Sequence, residues 1–394
     1  MNWRRIAWSG VGVAVLFAII GAAWIVSLPS AGAYKAAPIA KAEAEATVAA
    51  LKPPKRQRPL VAIVGINDAT ETTDYLMPYG VLRRADIADV VLLATAPGPV
   101  TLFPVMKVEP QATVADFDAQ HPDGADYVIV PAMSRDDDPE ALRWIKGQAD
   151  KGAIVIGVCA GAKVVGNTGL LDGQQATTHW YYLKELRQKH PAIRYVADRR
   201  LVVDGKVATT TGITASMPMS LTVIEAIAGR EKADAVARDL GLASWDTRHD
   251  SGAFRFTRSF ALTAIGNTLA FWRRERLGLE LVPGADEVSL ALLADAWSRT
   301  WRSRAVTFAG TGSAVESRNG VRIIPDRVAT DWPVAQHLPP VGREPPARVL
   351  DQALGDIEAR YGARTAGFVA MQLEYPSQNE MNRETISSVW SREN

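Results

Sequence analysis

The sequence is poor in several things at once. One cysteine, Cys159, stands among 394 residues, so no intramolecular disulfide and no multi-cysteine zinc or iron-sulfur site can form. Histidine is scarce too, with five in the chain. Charge of one sign is also missing: 44 Lys+Arg against 43 Asp+Glu leave +1, without the basic excess of a phosphate-tracking protein, so nucleic acid is not expected as a partner. Apolar side chains are plentiful, at 47% against 22% charged, which gives material for a sizeable core and excludes wholesale disorder. Nothing in this composition calls for a cofactor or a metal. The lone thiol is therefore either inert core or chemistry.

One long hydrophobic run is present. Ile6 to Leu28 is 23 residues without a charge, preceded by Arg4 and Arg5, and is long enough to span a bilayer as a helix. The arginines favour an internal N-terminus and place the bulk of the chain on the extracytoplasmic, periplasmic side of the cell membrane. Ala31-Gly32-Ala33 has the form of a signal-peptidase site. Secretion after cleavage near Ala33 is thus the alternative to a single-pass anchor, against which stands a run longer than the about 7 to 15 residues of a signal core. Residues 1–33 are read as anchor or signal. Residues 34–58, ending in the basic cluster Lys52 to Arg58, are read as a solvated linker.

Beyond the linker, near-continuous apolar runs over 59–65, 89–94, 126–131 and 153–157 lack polar alternation, as parallel strands covered on both faces do. Helix-length segments over 72–86 and 138–151 lie between them, the second opened by Asp136-Asp-Asp-Pro139. The pattern predicts an α/β fold with a doubly wound, mostly parallel sheet. Arg200 to Val207 reads as a hairpin with a type I′ turn at Asp204-Gly205.

Gly157-Val-Cys159-Ala-Gly161 follows a predicted strand and opens a predicted helix over 160–167. This is the setting of a nucleophile elbow, in which small neighbours let the chain turn sharply and present the nucleophile above the sheet. A helix N-terminus is expected to lower the thiol pKa. Proton partners are sought in His179, in Ala176-Thr-Thr-His-Trp180, and in Asp74, with Glu71 as an additional acid after the first strand.

Gly157-Val-Cys159-Ala-Gly-Ala162, Thr168-Gly-Leu-Leu-Asp-Gly173 and Ala176-Thr-Thr-His-Trp180 together resemble the ThiJ/PfpI family of the class I glutamine amidotransferase-like superfamily, whose fold is flavodoxin-like. The likeness is strongest to the branch of isonitrile hydratases and of sensing domains of AraC-type regulators, and covers residues 59–232. It implies Cys159 as nucleophile, His179 and Asp74 as its partners, backbone N–H groups of Ala160 and Ala132 as the oxyanion site, and a homodimer. Two departures stand out. Ala160 replaces the usual threonine, and Ala132-Met133 replace a Gly-Gly pair, so positive φ there would carry strain. The resemblance implies a cysteine-dependent hydrolase or hydratase acting on a small molecule. The alternative is a non-catalytic metabolite- or redox-sensing scaffold.

Residues 233–285 read as helical. Residues 286–375 read as a truncated second α/β half-domain, because Val91 to Val100 and Val306 to Val315 align at an offset of 215. It is expected to pack on the first domain or to pair protomers, ending in an amphipathic helix (Val349, Leu350, Ala353, Leu354, Ile357) and a strand over 367–373. Residues 376–394 form a polar tail.

Overall fold

In the computed structural model of the chain, which describes residues 16, 19–30, 34–342 and 344–375, two helices precede the first strand: α1 (residues 19–27) and α2 (Lys41–Ala50). Strand and helix then alternate through β1 (Leu60–Gly65), β2 (Asp68–Glu71), α3 (Thr72–Ala85), β3 (Asp89–Ala94), β4 (Val100–Phe103), β5 (Lys107–Glu109), β6 (Ala112–Thr113), α4 (Val114–Gln120), β7 (Tyr127–Val130), α5 (Pro139–Asp150), β8 (Ile154–Gly157) and α6 (Gly161–Asn167). After them come β9 (Gln175–Ala176), α7 (Leu183–Lys189), β10 (Arg194–Tyr195), the hairpin β11 (Leu201–Asp204) and β12 (Val207–Thr210), α8 (Ser216–Ala228) and α9 (Arg230–Asp239). Strands β11, β12, β8, β7, β1, β3 and β6 lie side by side in that order, all pairs parallel except the edge hairpin. This is the mixed α/β fold with a mostly parallel sheet that the apolar runs predict.

Those runs are unbroken because both faces of the sheet are covered. Val61 and Ile63 pack into one cluster with Leu76 of α3 and Leu221 of α8, while Ala62 and Val64 pack into the other with Phe117 of α4 and Trp144 of α5. Each buried Val or Ile contributes about 1.5 to 3 kcal/mol, so no position along such a strand tolerates a polar residue. Asp138 caps α5 by accepting from Ala141 N, with Pro139 in the first turn, as the start signal predicts.

The remainder comprises α10 (Arg258–Leu269), β13 (Glu275–Glu280), α11 (Glu287–Ser298), β14 (Ser303–Ala309), β15 (Val315–Glu316), β16 (Arg322–Ile324), β17 (Arg327–Val328), α12 (Pro346–Tyr361) and α13 (Ala363–Leu373). The offset of 215 relates real elements. It carries β5 onto β16, β6 onto β17, and Glu71, the N-cap of α3, onto Asp286, the N-cap of α11. Only β13 slips by one residue, since Glu275 pairs with Ser303 whereas Leu60 pairs with Asp89. The repeat therefore begins at β13, within the stretch read as helical and before residue 286. Its two copies meet about a pseudo-two-fold axis: β5 and β16 run antiparallel with Val108 opposite its own counterpart Ile323, and α3 packs on α11.

Other expectations are corrected here. Residues 367–373 belong to helix α13, not to a strand. Of the two turn residues between β11 and β12 only Gly205 has positive φ, 61°, the pattern of a type II′ turn. The basic cluster is not a free linker. Lys55 donates to the carbonyls of Asp123 and Ala125, Arg56 pairs with fully buried Asp126 at 2.6 Å, and Arg58 bonds Asp86 and Asp89. Among the described residues no helix is long and apolar enough to cross a membrane. Most of the apolar run from Ile6, the Ala31–Ala33 site and the tail from residue 376 lie outside them.

Gly80 lets α3 and α11 approach. A Cβ there would sit 2.5 Å from both Glu287 Oε1 and Val288 Cγ2, and the Glu287 carboxylate is held by Ser317 and Asn319. Gly80→Ala is expected to destabilise the protein by about 1 to 3 kcal/mol, outweighing its gain in helix propensity of about 1 kcal/mol. Urea denaturation checks this, and a variant as stable as wild type would show that the helices are free to separate.

Candidate active site

Strand β8 ends at Gly157 and the chain turns at once into α6. A Cβ at Gly161 would lie 2.0 Å from the Val130 carbonyl oxygen, and one at Gly157 would lie 3.0 Å from Ala162, so both flanks of the cysteine must be glycine for the turn to close. Cys159 takes φ of 56°, a left-handed conformation that costs about 1 to 3 kcal/mol in a non-glycine residue. The surroundings hold it there: Cys159 N donates to Thr210 Oγ1 (3.0 Å), and Thr178 Oγ1 donates to the Cys159 carbonyl (2.9 Å). The elbow read from the sequence is present. Its thiol, 5% exposed, lies at the floor of a cavity of about 640 Å³ whose walls include Phe103, Tyr181, Phe256, Phe260 and Trp301.

Two carboxyls predicted from the first βα unit reach the same place. Glu71 caps α3: its Oε2 accepts from Asp74 N (2.6 Å) and Thr73 Oγ1 (2.7 Å), and its Oε1 pairs with Arg299 Nη2 (2.7 Å). Arg299 also binds Asp295 at 2.8 Å. Asp74 is wholly buried. Its Oδ2 accepts from Ala132 N (3.1 Å), and its Oδ1 has no hydrogen-bond partner. Burial, reinforced by the charge of Glu71, pushes the Asp74 carboxyl well above the usual range and favours the form that carries a proton.

The expected lowering of the thiol pKa is overturned. Burial pushes the Cys159 thiol well up, and the charges of Asp74, Glu71 and Glu374 push the same way. The Ala160 N–H, bonded to the sulfur, opposes them. Desolvation inside an acidic cluster outweighs what one helix terminus supplies. The oxyanion arrangement also differs from expectation. Ala160 N–H points at the sulfur, whereas Ala132 N–H is committed to Asp74. Neither Ala132 nor Met133 takes positive φ. That strain falls on Ala69 (φ 63°), because β2 bonds across to this segment through Glu71 N to Ala132 O and Ser134 N to Ala69 O, both 2.8 Å.

His179 lines the cavity, but both ring nitrogens are engaged: Nε2 lies 2.9 Å from the Gln372 carbonyl, which can only accept, and Nδ1 accepts from Tyr181 N at 3.2 Å. Burial lowers its pKa and keeps the ring neutral in preference to charged. Its geometry is that of a strut to α13.

Several residues of the site escaped sequence reasoning. Arg299 had a signal, since it falls on Arg84 at the offset of 215. Glu374, fully buried beyond α13, had none. Its carboxylate accepts from Trp180 N and Gly212 N, each at 2.6 Å, and faces His249 Nε2 at 3.2 Å, which gives a role to the polar loop around His249. Burial opposes its charge, yet His179, His249 and the Trp180 N–H hold it down to about 2.

A folded-state pKa below the ordinary 4.5 means that this carboxylate stabilises the fold above pH 4.5 and ceases to do so as pH falls toward 2. Glu374→Gln is expected to cost on the order of 3 kcal/mol at neutral pH and to flatten the acid dependence in that window. Denaturation midpoints between pH 2 and 7 test it. Wild-type stability with an unchanged pH profile would mean that the carboxylate contributes nothing.

The chain is similar to known proteins over part of its length. Residues 61–226 match the DJ-1/PfpI family. An isonitrile hydratase of Pseudomonas putida is 33% identical over 175 residues, covering 43% of this chain and 73% of the hydratase. The HTH-type transcriptional regulator CdhR of Pseudomonas aeruginosa is 29% identical over 112 residues, 28% of this chain and 33% of the regulator. Among solved structures, Drosophila melanogaster DJ-1beta superimposes with a TM-score of 0.43 at 21% identity, covering 48% of this chain and 100% of that one. The family match spans both α3, which carries Asp74, and the elbow that carries Cys159, and the chain belongs to the DJ-1/PfpI family.

Proposed function

We propose that the chain is a cysteine-dependent hydratase or hydrolase for a small molecule with an apolar body. The observation that carries this is the strained Cys159 elbow lining an aromatic-walled cavity, with a wholly buried Asp74 nearby whose carboxyl is biased toward its protonated form. The Cys159 sulfur forms a bond to an electrophilic carbon of the substrate. Asp74 gives its proton to the atom where negative charge develops, and the proton leaving the thiol restores the carboxyl. Water then adds to the same carbon, the carbon–sulfur bond breaks, and the proton given up by the water returns to the Cys159 sulfur, restoring the thiol. The acidic surroundings that disfavour free thiolate leave a sulfur that ionises as the bond forms. Similarity to an isonitrile hydratase supports hydration of a carbon–nitrogen multiple bond as the first substrate class to try.

Cys159→Ala is expected to abolish turnover of an isonitrile panel without loss of fold. Asp74→Asn is expected to lower kcat at least about a hundredfold, in the range of lost proton transfer. Activity surviving Cys159→Ala removes the proposal. Ligand sensing is the second reading, favoured by the raised thiol and by likeness to a regulator. It is the outcome if ligands bind the cavity tightly and Cys159→Ala leaves that binding intact while no substrate turns over.

We also propose that the apolar N-terminal run anchors the chain in the cell membrane with its bulk on the extracytoplasmic side. Support comes from α1, along which Ile19, Ile20, Trp24 and Val26 are exposed and near whose end Arg258 donates to Val26 O (2.6 Å) and Pro29 O (3.0 Å). The adjoining α10 and the turn after it leave Leu262, Leu269, Phe271 and Trp272 exposed in the same neighbourhood. Such an apolar margin with arginines beside it suits a membrane interface. Carbonate-washed membranes should retain the protein, and protease added to spheroplasts should digest it. A freely soluble cytoplasmic product overturns the assignment.

A further inference from the structure

The two copies of the repeat contact each other in a particular way. Arg84, near the end of α3, pairs with Asp286, the N-cap of α11; Arg299, just after α11, pairs with Glu71, the N-cap of α3. Under the offset of 215 these two bridges are the same bridge made twice with the partners exchanged. Val108 faces Ile323 in the same sense, each being the other's counterpart. Reciprocal contact of this kind defines an isologous interface between two copies of one subunit. Here both sides belong to one chain.

We propose that residues 275–328 occupy the place of a partner subunit, so that this chain completes its thiol site in cis through Arg299 and works without a second copy. Three observations support it. First, the faces that a second copy would use are covered, since α3 lies against α11 and the edge of β5 is paired with β16. Second, among the described residues the repeat stops after β17, with no counterpart of β7 or β8, and the sequence has no second cysteine, so it can support a site but cannot form one. Third, Arg299 acts on the reacting groups. It neutralises Glu71 and Asp295, and its pKa is raised by those two charges and further by Cys159, against the opposing effect of burial. By reciprocity its charge favours the Cys159 thiolate. The other titratable groups around that sulfur are Asp74 and Glu71 at the start of α3, Tyr182 before α7 and Glu374 after α13, with Lys163 of α6 and His179 lining the same cavity. Arg299 is a positioning residue supplied by the mimic of a neighbour.

The test uses the full chain in mild detergent and needs no turnover, so its failure is separable from failure of the proposed activity. Light scattering should give one chain, 42.6 kDa of protein, over a wide concentration range. Alkylation of Cys159 by iodoacetamide should follow a profile shifted to higher pH by about one unit in Arg299→Gln, an about tenfold slower rate at fixed pH, with partial recovery in Arg299→Lys. Adding a Cys159→Ser chain, whose Arg299 is intact, should not restore the Arg299→Gln profile. A two-chain mass, restoration on mixing, or an unshifted profile in a folded Arg299→Gln protein each overturns the proposal.

Discussion

Glu71 is the residue on which the site depends, because a single buried carboxylate meets four demands. It ends the α3 helix by accepting from Asp74 N, steadies Thr73, receives Arg299 from the far half of the chain, and places a negative charge beside Asp74. A carboxyl that is both desolvated and next to a fixed charge is biased toward its protonated form, and Asp74 is biased in that direction. The pairing with Arg299 in turn makes Glu71 tolerable. An uncompensated buried charge costs several kcal/mol, and removal of one partner from such a pair costs about 3 to 5 kcal/mol. Helix capping, interface and proton inventory are one electrostatic arrangement.

The same balance explains a thiol that looks unreactive at rest. Burial first, and then the acidic groups around Cys159, favour the protonated thiol over the thiolate. A permanently ionised thiolate would be more open to oxidation. A protonated one ionises only as its bond forms.

Much of this was legible in the sequence, for physical reasons. Strands buried on both faces leave no choice but runs such as Val61 to Val64, and an elbow that presses against the Val130 carbonyl leaves no choice but glycine at 161. The offset of 215 was visible because the repeat kept its core residues. What stayed hidden was long-range. Nothing local to Glu374 says that it will be enclosed by Trp180, Gly212 and His249. Residues 367–373 read as a strand because Phe368-Val-Ala-Met is compact and apolar. The structure resolves them as a helix because Thr365, Ala366, Val369 and Leu373, at helical spacing, are its buried side. Likewise His179 sat at the right distance along the chain to serve the cysteine, and only the Gln372 carbonyl shows where its proton is spent.

The order of synthesis gives the strut between His179 and α13 another meaning. The cysteine elbow, its strand and the Asp74 helix leave the ribosome well before Arg299, Gln372 and Glu374 exist, and domains tend to fold as they emerge. During that interval the elbow can form, but Arg299, the Gln372 part of the cavity wall and the carboxylate that locks the Trp180 loop are absent. The cavity is therefore closed last, when α13 docks. A nascent or truncated chain carries the elbow without the full electrostatic setting around it, so docking of the C-terminal helix is the step that completes the site.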